Sequence, residues 1–289
     1  MTIPIMSTIE LGLIYSLITL GVYLTFRIIN FPDLTVDGTF PLGAAVVAIL
    51  LTKGYHPMIA TLIATFAGMI AGSITAYLYV QLRIMGLLAG ILTMTALYSV
   101  NIRIMGRPNI ALLNVDTLFS SNHSEIGIII GIVLIIFIGL SYLLMSQYGL
   151  ALRASGMNPT ISRSYGVNIE KMTLLTLAIS NGLVALAGAL FAQAQGFADI
   201  SLGTGTIITG IAALMIGEAF ITTHKVLFCL LACLVGSILY RIAIALALNS
   251  QLLGLQASDL NLITAALVTI ALLIPQLRLL TIQKMRKIP

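Results

Sequence analysis

"NFPDLTVDGT", residues 30–39, lies between apolar runs and interrupts them with Pro32, Gly38 and two acidic side chains. Asp33 and Asp37 flank Thr35, so freed backbone groups, carboxylates and hydroxyls fall together where the hydrophobic pattern stops. A second stretch, "GFADISLGTG" at 196–205, has the same build. Phe31 falls on Phe197, Asp33 on Asp199, Leu34 on Ile200, Thr35 on Ser201 and Val36 on Leu202. Each stretch follows an apolar run and precedes a rather short one. Turn formation at a membrane surface accounts for Asp, Pro, Gly and Thr one at a time. The recurrence of Phe, Asp and a hydroxyl residue at the same spacing predicts an internal repeat.

The surrounding composition sets the solvent. The chain has 289 residues, 59% hydrophobic and 8% charged, with no Trp. Soluble domains carry roughly a quarter charged residues, so this is a polytopic helical membrane protein in contact with lipid. The net charge of +5 is a weak argument for nucleic acid, and none is expected as a partner. Met1 to Ile9 has no Lys or Arg and no typical cleavage site follows the first apolar run, so no cleavable signal is expected. Cys229 and Cys233 share a helix face inside an apolar run and are expected to act as small hydrophobes.

Nine apolar segments are predicted, within a range of eight to ten: 9–27, 38–52, 57–82, 84–101, 125–146, 171–195, 205–221, 226–248 and 260–280. Most are near the ~20 residues that a helical span needs. Segment 38–52 is short and reads as broken or re-entrant. Arg153, Arg163 and Lys171 lie between the fifth and sixth segments, Lys225 between the seventh and eighth, and Arg278, Lys284, Arg286 and Lys287 after the ninth. Loops 196–204 and 249–259 carry Asp199 and Asp259 but no Lys or Arg. The positive-inside rule therefore puts 147–170 and the C-terminus in the cytoplasm. Counting back puts Arg27 and Arg83 inside, and Lys53, Arg103 and Arg107 outside, against the rule. The predicted fold is a single all-α transmembrane domain over 1–289. Repeats at 9–101 and 171–280 flank a central helix at 125–146, and the odd offset of five makes them inverted. Inverted repeats with interrupted segments are common in transporters, where the breaks mark the translocation site.

Enzymatic signals are nearly absent. His56, His123 and His224 are scattered and form no metal spacing, and no G-x-S-x-G, H-E-x-x-H or G-x-x-x-x-G-K-[ST] occurs. No catalytic residue, metal site or cofactor is expected in this chain; if it uses ATP, another chain binds it. The candidate path residues are Asn30, Asp33, Thr35, Asp37 and Thr39 at the first break, with Asn181, Gln193 and Gln195 on the sixth segment. Interhelical hydrogen bonding is the competing role for the amides. "NGLVALAGAL" (181–190) places Gly182, Ala185 and Ala189 where helices can approach closely. Glu218 and Arg241 are ionisable groups near or within spans; the first lies near a helix end and the second can snorkel.

"NPTISRSYG" (158–166) spells a short helix: Asn158 as cap, Pro159 at the first position, and Gly166 as the left-handed stop. Its seven inner residues span on the order of 10 Å at ~1.5 Å each, too little to cross a bilayer. Read alone, it is a capped helix in the cytoplasmic loop 147–170.

At "GLALRASGMNPTISRSYGVNIEKMTLLTLAISNGLVALAGAL" (149–190) the sequence resembles the permease subunits of ATP-driven importers for branched-chain amino acids and ribose. "LTMTALYSVNIRIMGRP" (92–108), "GTGTIITGIAALMIGEA" (203–219) and "NFPDLTVDGTFPLGA" extend the resemblance over most of the chain. The last is closest to a branch associated with aromatic amino-acid uptake. The chain departs at "EAFITTHKV" (218–226), where relatives usually carry a Gly-rich loop. The resemblance implies a type II ABC importer fold in the bacterial inner membrane. It also implies a second permease copy, two ABC ATPase subunits holding ATP and Mg, and an external solute-binding protein. The 158–166 helix becomes the coupling helix, with Arg153, Gly156, Asn158, Pro159, Arg163 and Gly166 as ATPase-coupling residues. The alternative is an ion-coupled secondary transporter using Asp33, Asp37 or Glu218; a membrane-embedded enzyme or assembly factor is disfavoured by the missing catalytic constellation.

Overall fold

The computed structural model describes residues 5–113, 115–120, 125–221, 223, 225–249, 265, 266 and 269. The expected ninth segment lies almost wholly outside these residues. Asp259 and the C-terminal cluster of Arg278, Lys284, Arg286 and Lys287 also lie outside them.

Ten α-helices follow in order: α1 Ile5–Val22, α2 Val36–Thr52, α3 Pro57–Val80, α4 Gly86–Met105, α5 Glu125–Met145, α6 Gln147–Met157, α7 Pro159–Ser164, α8 Ile169–Gln195, α9 Thr206–Phe220 and α10 Val226–Asn249. Helix α1 runs on into a π-helical stretch, Tyr23–Ile28, and a 3₁₀ turn at Ile200–Gly203 precedes α9. Among the described residues seven helices are long and apolar enough to cross a membrane, and α2 is a shorter apolar one. Local signals set the ends. Pro57 starts α3 behind His56, whose Nδ1 accepts from the Met58 amide at 3.3 Å. Asn168 caps α8 through the Lys171 amide at 3.0 Å, and Gly196 ends it at φ 74°.

Helix α8 is the pillar, with 83% of its most apolar window buried inside the protein. Lipid is as apolar as Leu, so close van der Waals contact between small residues drives this packing. A Cβ on Gly43 of α2 would lie 2.0 Å from the Ala185 carbonyl oxygen, and one on Gly72 of α3 would lie 2.1 Å from that of Leu177. The small-residue stretch expected at 181–190 is therefore the contact surface for α2 and α3. Hydroxyls add cross-links: Ser180 donates to the Gly21 carbonyl at 2.9 Å and Ser237 to that of Gly12 at 2.7 Å.

The mostly helical fold carries one addition: β1 (Asn109–Ala111) and β2 (Phe197–Asp199) pair antiparallel, with Asn109 opposite Asp199. Three-residue strands are too short for an alternating pattern to show. The expected break inside segment 38–52 is corrected: α2 continues through Pro41, and the interruption precedes it at 29–35. Loop 147–170 holds two helices, since Ser146 caps α6 by accepting from the Gly149 amide at 3.4 Å.

The connections sort to two ends. The β1–β2 ribbon and the C-terminal end of α8 share one. Helices α6 and α7, the end of the π-helical stretch and the C-terminal end of α3 share the other.

Candidate functional site

Helix α7 has the punctuation its sequence demands. Asn158 Oδ1 accepts from the Ile161 amide at 3.1 Å, and Pro159 occupies the first position. At the other end Gly166 has φ 83°; its amide donates to the Arg163 carbonyl and the Val167 amide to that of Ser162, both at 3.0 Å. That pair of bonds is a Schellman stop. Ser162 is buried, whereas Met157 at the end of α6, Ile161 within α7 and Tyr165 at its C-cap are 87%, 54% and 85% exposed. The expected polar helix thus has exposed apolar side chains before, on and after it, an interrupted ridge, with Arg163 exposed beside it.

Helix α6, which leads into α7, is fastened to the first break. Asn30 adopts φ 51°, a left-handed conformation that Asn tolerates, and its Nδ2 donates to the Gly156 carbonyl at 3.0 Å. Gly156 sits so close to the break that a Cβ would lie 1.7 Å from the Ile28 carbonyl oxygen. A cavity of about 460 Å³ opens between α7 and the break, lined in part by Asn30, Phe31, Tyr79, Pro159 and Arg163. Arg153 is partly buried, and its Nε donates back to the Gly149 carbonyl at 3.4 Å.

The remaining residues of the first break divide. Asp33, Thr35, Thr39 and Asn181 meet in one buried network between α2, α3 and α8. Asp33 Oδ1 accepts from the Thr35 amide at 3.0 Å and Oδ2 from Asn181 Nδ2 at 2.7 Å. Asn181 Oδ1 accepts from Thr39 Oγ1 at 2.8 Å, and the Thr35 and Thr75 hydroxyls are 2.8 Å apart. Thr75 escaped notice in the sequence because a lone Thr in an apolar helix gives no signal. Every named group has a partner inside the subunit.

Asp37 does different work. Its carboxylate accepts from the amides of Gly205 at 3.2 Å and Ile207 at 2.8 Å, capping α9 from α2. The two breaks therefore touch, and Gly203 packs against the Asp37 carbonyl. Asp199, aligned with Asp33 in sequence, makes the same turn: its Oδ1 accepts from the Ser201 amide at 2.7 Å. Asn109 Nδ2 donates to its other oxygen at 2.9 Å. Partial burial would raise the Asp199 pKa, but the bonds from Ser201 and Asn109 outweigh it and hold the carboxyl below its ordinary value.

Gln193 donates to Thr61 Oγ1 at 2.9 Å and accepts from the Leu118 amide at 3.1 Å, pinning the loop after β1 to α8 and α3. Gln195 is exposed at the end of α8. Glu218 forms a two-point ion pair with Arg27, which joins α9 to the end of the π-helical stretch. Arg241 stacks on Tyr15: its ζ carbon lies 3.5 Å from the centroid of the ring. Cys233 is a free thiol inside the core, as expected of a small hydrophobe, and Cys229 Sγ lies 3.3 Å from the Thr223 carbonyl oxygen.

Comparison with known proteins follows this geometry. The family model for the permease component of branched-chain amino acid transport systems matches residues 5–274. The chain is 41% identical over 264 residues to a tyrosine transport system permease protein of Clostridioides difficile, covering 91% of this chain and 88% of that one. It is 39% identical over 276 residues to RP368 of Rickettsia prowazekii, an uncharacterized protein, covering 93% and 96%. It is 28% identical over 219 residues to the autoinducer 2 import system permease protein LsrC of an Enterobacter strain, covering 72% and 63%. The fold is shared with a chain of PsaBC from Streptococcus pneumoniae in complex with Fab, at TM-score 0.54 and 15% identity over 92% of this chain and 88% of that one. The matches favour a permease of an ABC-type transport system over the secondary-transporter alternative. With the seven long apolar helices, they make it a multi-pass protein of the bacterial inner membrane. This chain belongs to the family of permease components of branched-chain amino acid transport systems.

Proposed function

We propose that the chain is half of a homodimeric, ATP-driven importer of an aromatic amino acid, coupled to its ATPase through α7. The bond from Asn30 to Gly156 carries the coupling reading, because it lets force applied at α7 reach the first break directly. The apolar ridge of Met157, Ile161 and Tyr165 gives an ATPase groove something to grip. Two ATPase subunits hold ATP and Mg, and an external solute-binding protein delivers the substrate. The tyrosine transport relative supports the substrate class.

In this reading nine spans form two inverted repeats of four around α5, with 260–280 as the last. The common turn at Asp33 and Asp199 supports the repeat. Substrate passes by alternating access where the breaks meet, at Asp37 and Gly205. Asn30, Asp33, Thr35, Thr39 and Asn181 hold the first break in shape, while Gln193 and Gln195 belong to the outer entrance.

The test combines topology with coupling. After removal of Cys229 and Cys233, a cysteine at Tyr165 should react only from the cytoplasm and one at Ser201 only from outside. Ile161→Asp should insert normally yet lose co-purifying ATPase. Labelling of Tyr165 from outside, or full ATPase retention by the Ile161 variant, overturns the coupling role.

A further inference from the structure

We propose that Arg241, with the aromatic rings stacked beside it, binds the carboxylate and ring of an aromatic α-amino acid during transport. The inference rests on the amino-acid reading above and adds a site to it.

Arg241 lies about two-thirds of the way along α10, opposite the middle of α1. A guanidinium at that depth is costly and is retained where it pairs or serves a path. Among the described residues the one ion pair is Arg27 with Glu218, so no carboxylate there neutralises Arg241. Its Nε is buried without a hydrogen-bond partner. What holds the side chain is the Tyr15 ring, whose face lies 3.5 Å from the ζ carbon. Stacking of this kind fixes the guanidinium plane, and a planar anion is the partner that would satisfy its N–H edge. A simple staple between α1 and α10 would explain the stacking but not the unpaired Nε.

The rings continue outward from Tyr15. Its centroid is 5.8 Å from that of Phe40 and 6.1 Å from that of Phe191; Phe191 in turn is 6.2 Å from Phe197. Phe197 belongs to β2 in the outer ribbon, so the series runs from the outer face to the buried cation. Phe40 and Phe191 are buried, while Tyr15, Phe197 and Arg241 are partly exposed. A carboxylate takes two parallel bonds from a guanidinium, and rings accept another ring edge to face. An aromatic amino acid uses both features; an aliphatic solute or an amine uses at most one.

Equilibrium binding of radiolabelled L-phenylalanine to the purified full chain in nanodiscs tests the site. Arg241→Gln should weaken binding about tenfold or more, the loss expected for a charge-assisted pair. Arg241→Lys should fall between the two. Tyr15→Leu, which keeps the charge but removes the ring that orients it, should also weaken binding and decides the matter if the Gln variant fails to insert. Phenethylamine, without a carboxylate, and acetate, without a ring, should compete poorly. Unchanged affinity in the variants overturns the site, as does phenethylamine or acetate competing as well as unlabelled L-phenylalanine. Uptake by the reconstituted importer separates the two levels. Uptake of L-phenylalanine without binding to this chain sinks the site alone. No uptake of any amino acid by the wild type sinks the amino-acid reading and the site with it.

Discussion

Asn30 reaches across 126 positions of sequence to donate its side-chain amide to the Gly156 carbonyl at 3.0 Å. The bond joins the interrupted segment ahead of α2 to the helix that carries α7. Gly156 reinforces it sterically, because a Cβ there would fall inside contact distance of the Ile28 carbonyl oxygen. Gly156→Ala should therefore push α6 off the break and lower ATP-driven uptake about tenfold or more, as misplacing a working contact by a fraction of an ångström does. Asn30→Gly keeps the left-handed backbone and loses only the bond, about 0.5–1.5 kcal/mol. Asn30→Ala loses both, adding about 1 kcal/mol. Uptake and thermal stability of the three variants should follow that order.

A second expectation concerns the buried network. Asp33→Ala leaves the Asn181 amide and the Thr35 N–H short of an acceptor, a cost of about 1–3 kcal/mol. The melting temperature of the purified chain should fall accordingly. Thr35→Val and Thr75→Val remove two halves of one contact, so their double variant should cost less than the sum of the singles. Additive losses would mean that the two hydroxyls do not depend on each other.

Arg27 and Glu218 give a third. The pair is part-exposed, at 44% and 29%, so its net worth is small, about 0.5–1 kcal/mol. Glu218→Arg places two cations side by side and should reduce uptake, and the exchange Arg27→Glu with Glu218→Arg should restore much of it. A double exchange no better than the single would give the pair no part in holding α9 against the π-helical stretch.

Much of this was legible in the residues. Hydrophobic runs found the spans because lipid demands them, and Asn158, Pro159 and Gly166 delimited α7 because each suits one backbone geometry. The alignment of Asp33 with Asp199 anticipated a common turn. Long-range pairing was not legible. Nothing local tells Asp37 to cap α9, Arg27 to find Glu218 or Arg241 to lie on Tyr15, since the partners are far apart in sequence. The β1–β2 ribbon was missed for lack of length. The apolar ridge about α7 went unread because caps and charges mark where the helix begins and ends, not that Ser162 is its buried side while Met157, Ile161 and Tyr165 stay exposed.

Asp199 supplies a pH dependence. Its folded carboxyl titrates below the ordinary value, so its contribution to the β1–β2 ribbon is complete above the unfolded pKa and is lost as pH falls through the lower, folded one. Hydrogen-exchange protection of the Ala198 and Ile110 amides, corrected for intrinsic rates, should hold at neutral pH and decline only in strong acid. Asp199→Asn should flatten that dependence. A wild-type ribbon that loosened near neutral pH would contradict the assignment.

The last expectation isolates backbone geometry at the end of α7. Gly166 has φ 83°, and a Cβ there would meet nothing within 4 Å, so a substitution is penalised by conformation and not by crowding. Asn visits the left-handed region readily, whereas a β-branched residue pays about 1 kcal/mol or more to enter it. Gly166→Asn should then behave like wild type, and Gly166→Val should unwind the stop and displace Tyr165 from the ridge. Both variants should insert at near-normal levels, because the change lies outside every span. Only the Val variant should lose ATPase association or stimulated hydrolysis. Arg163→Glu, which reverses a charge beside the ridge without touching the backbone, should weaken association while leaving the helix formed. Were α7 an ordinary capped loop helix, all three would pass, since exposed changes usually cost within about 0.5 kcal/mol. Normal uptake and normal ATPase binding in Gly166→Val and Arg163→Glu together would remove the coupling role from α7.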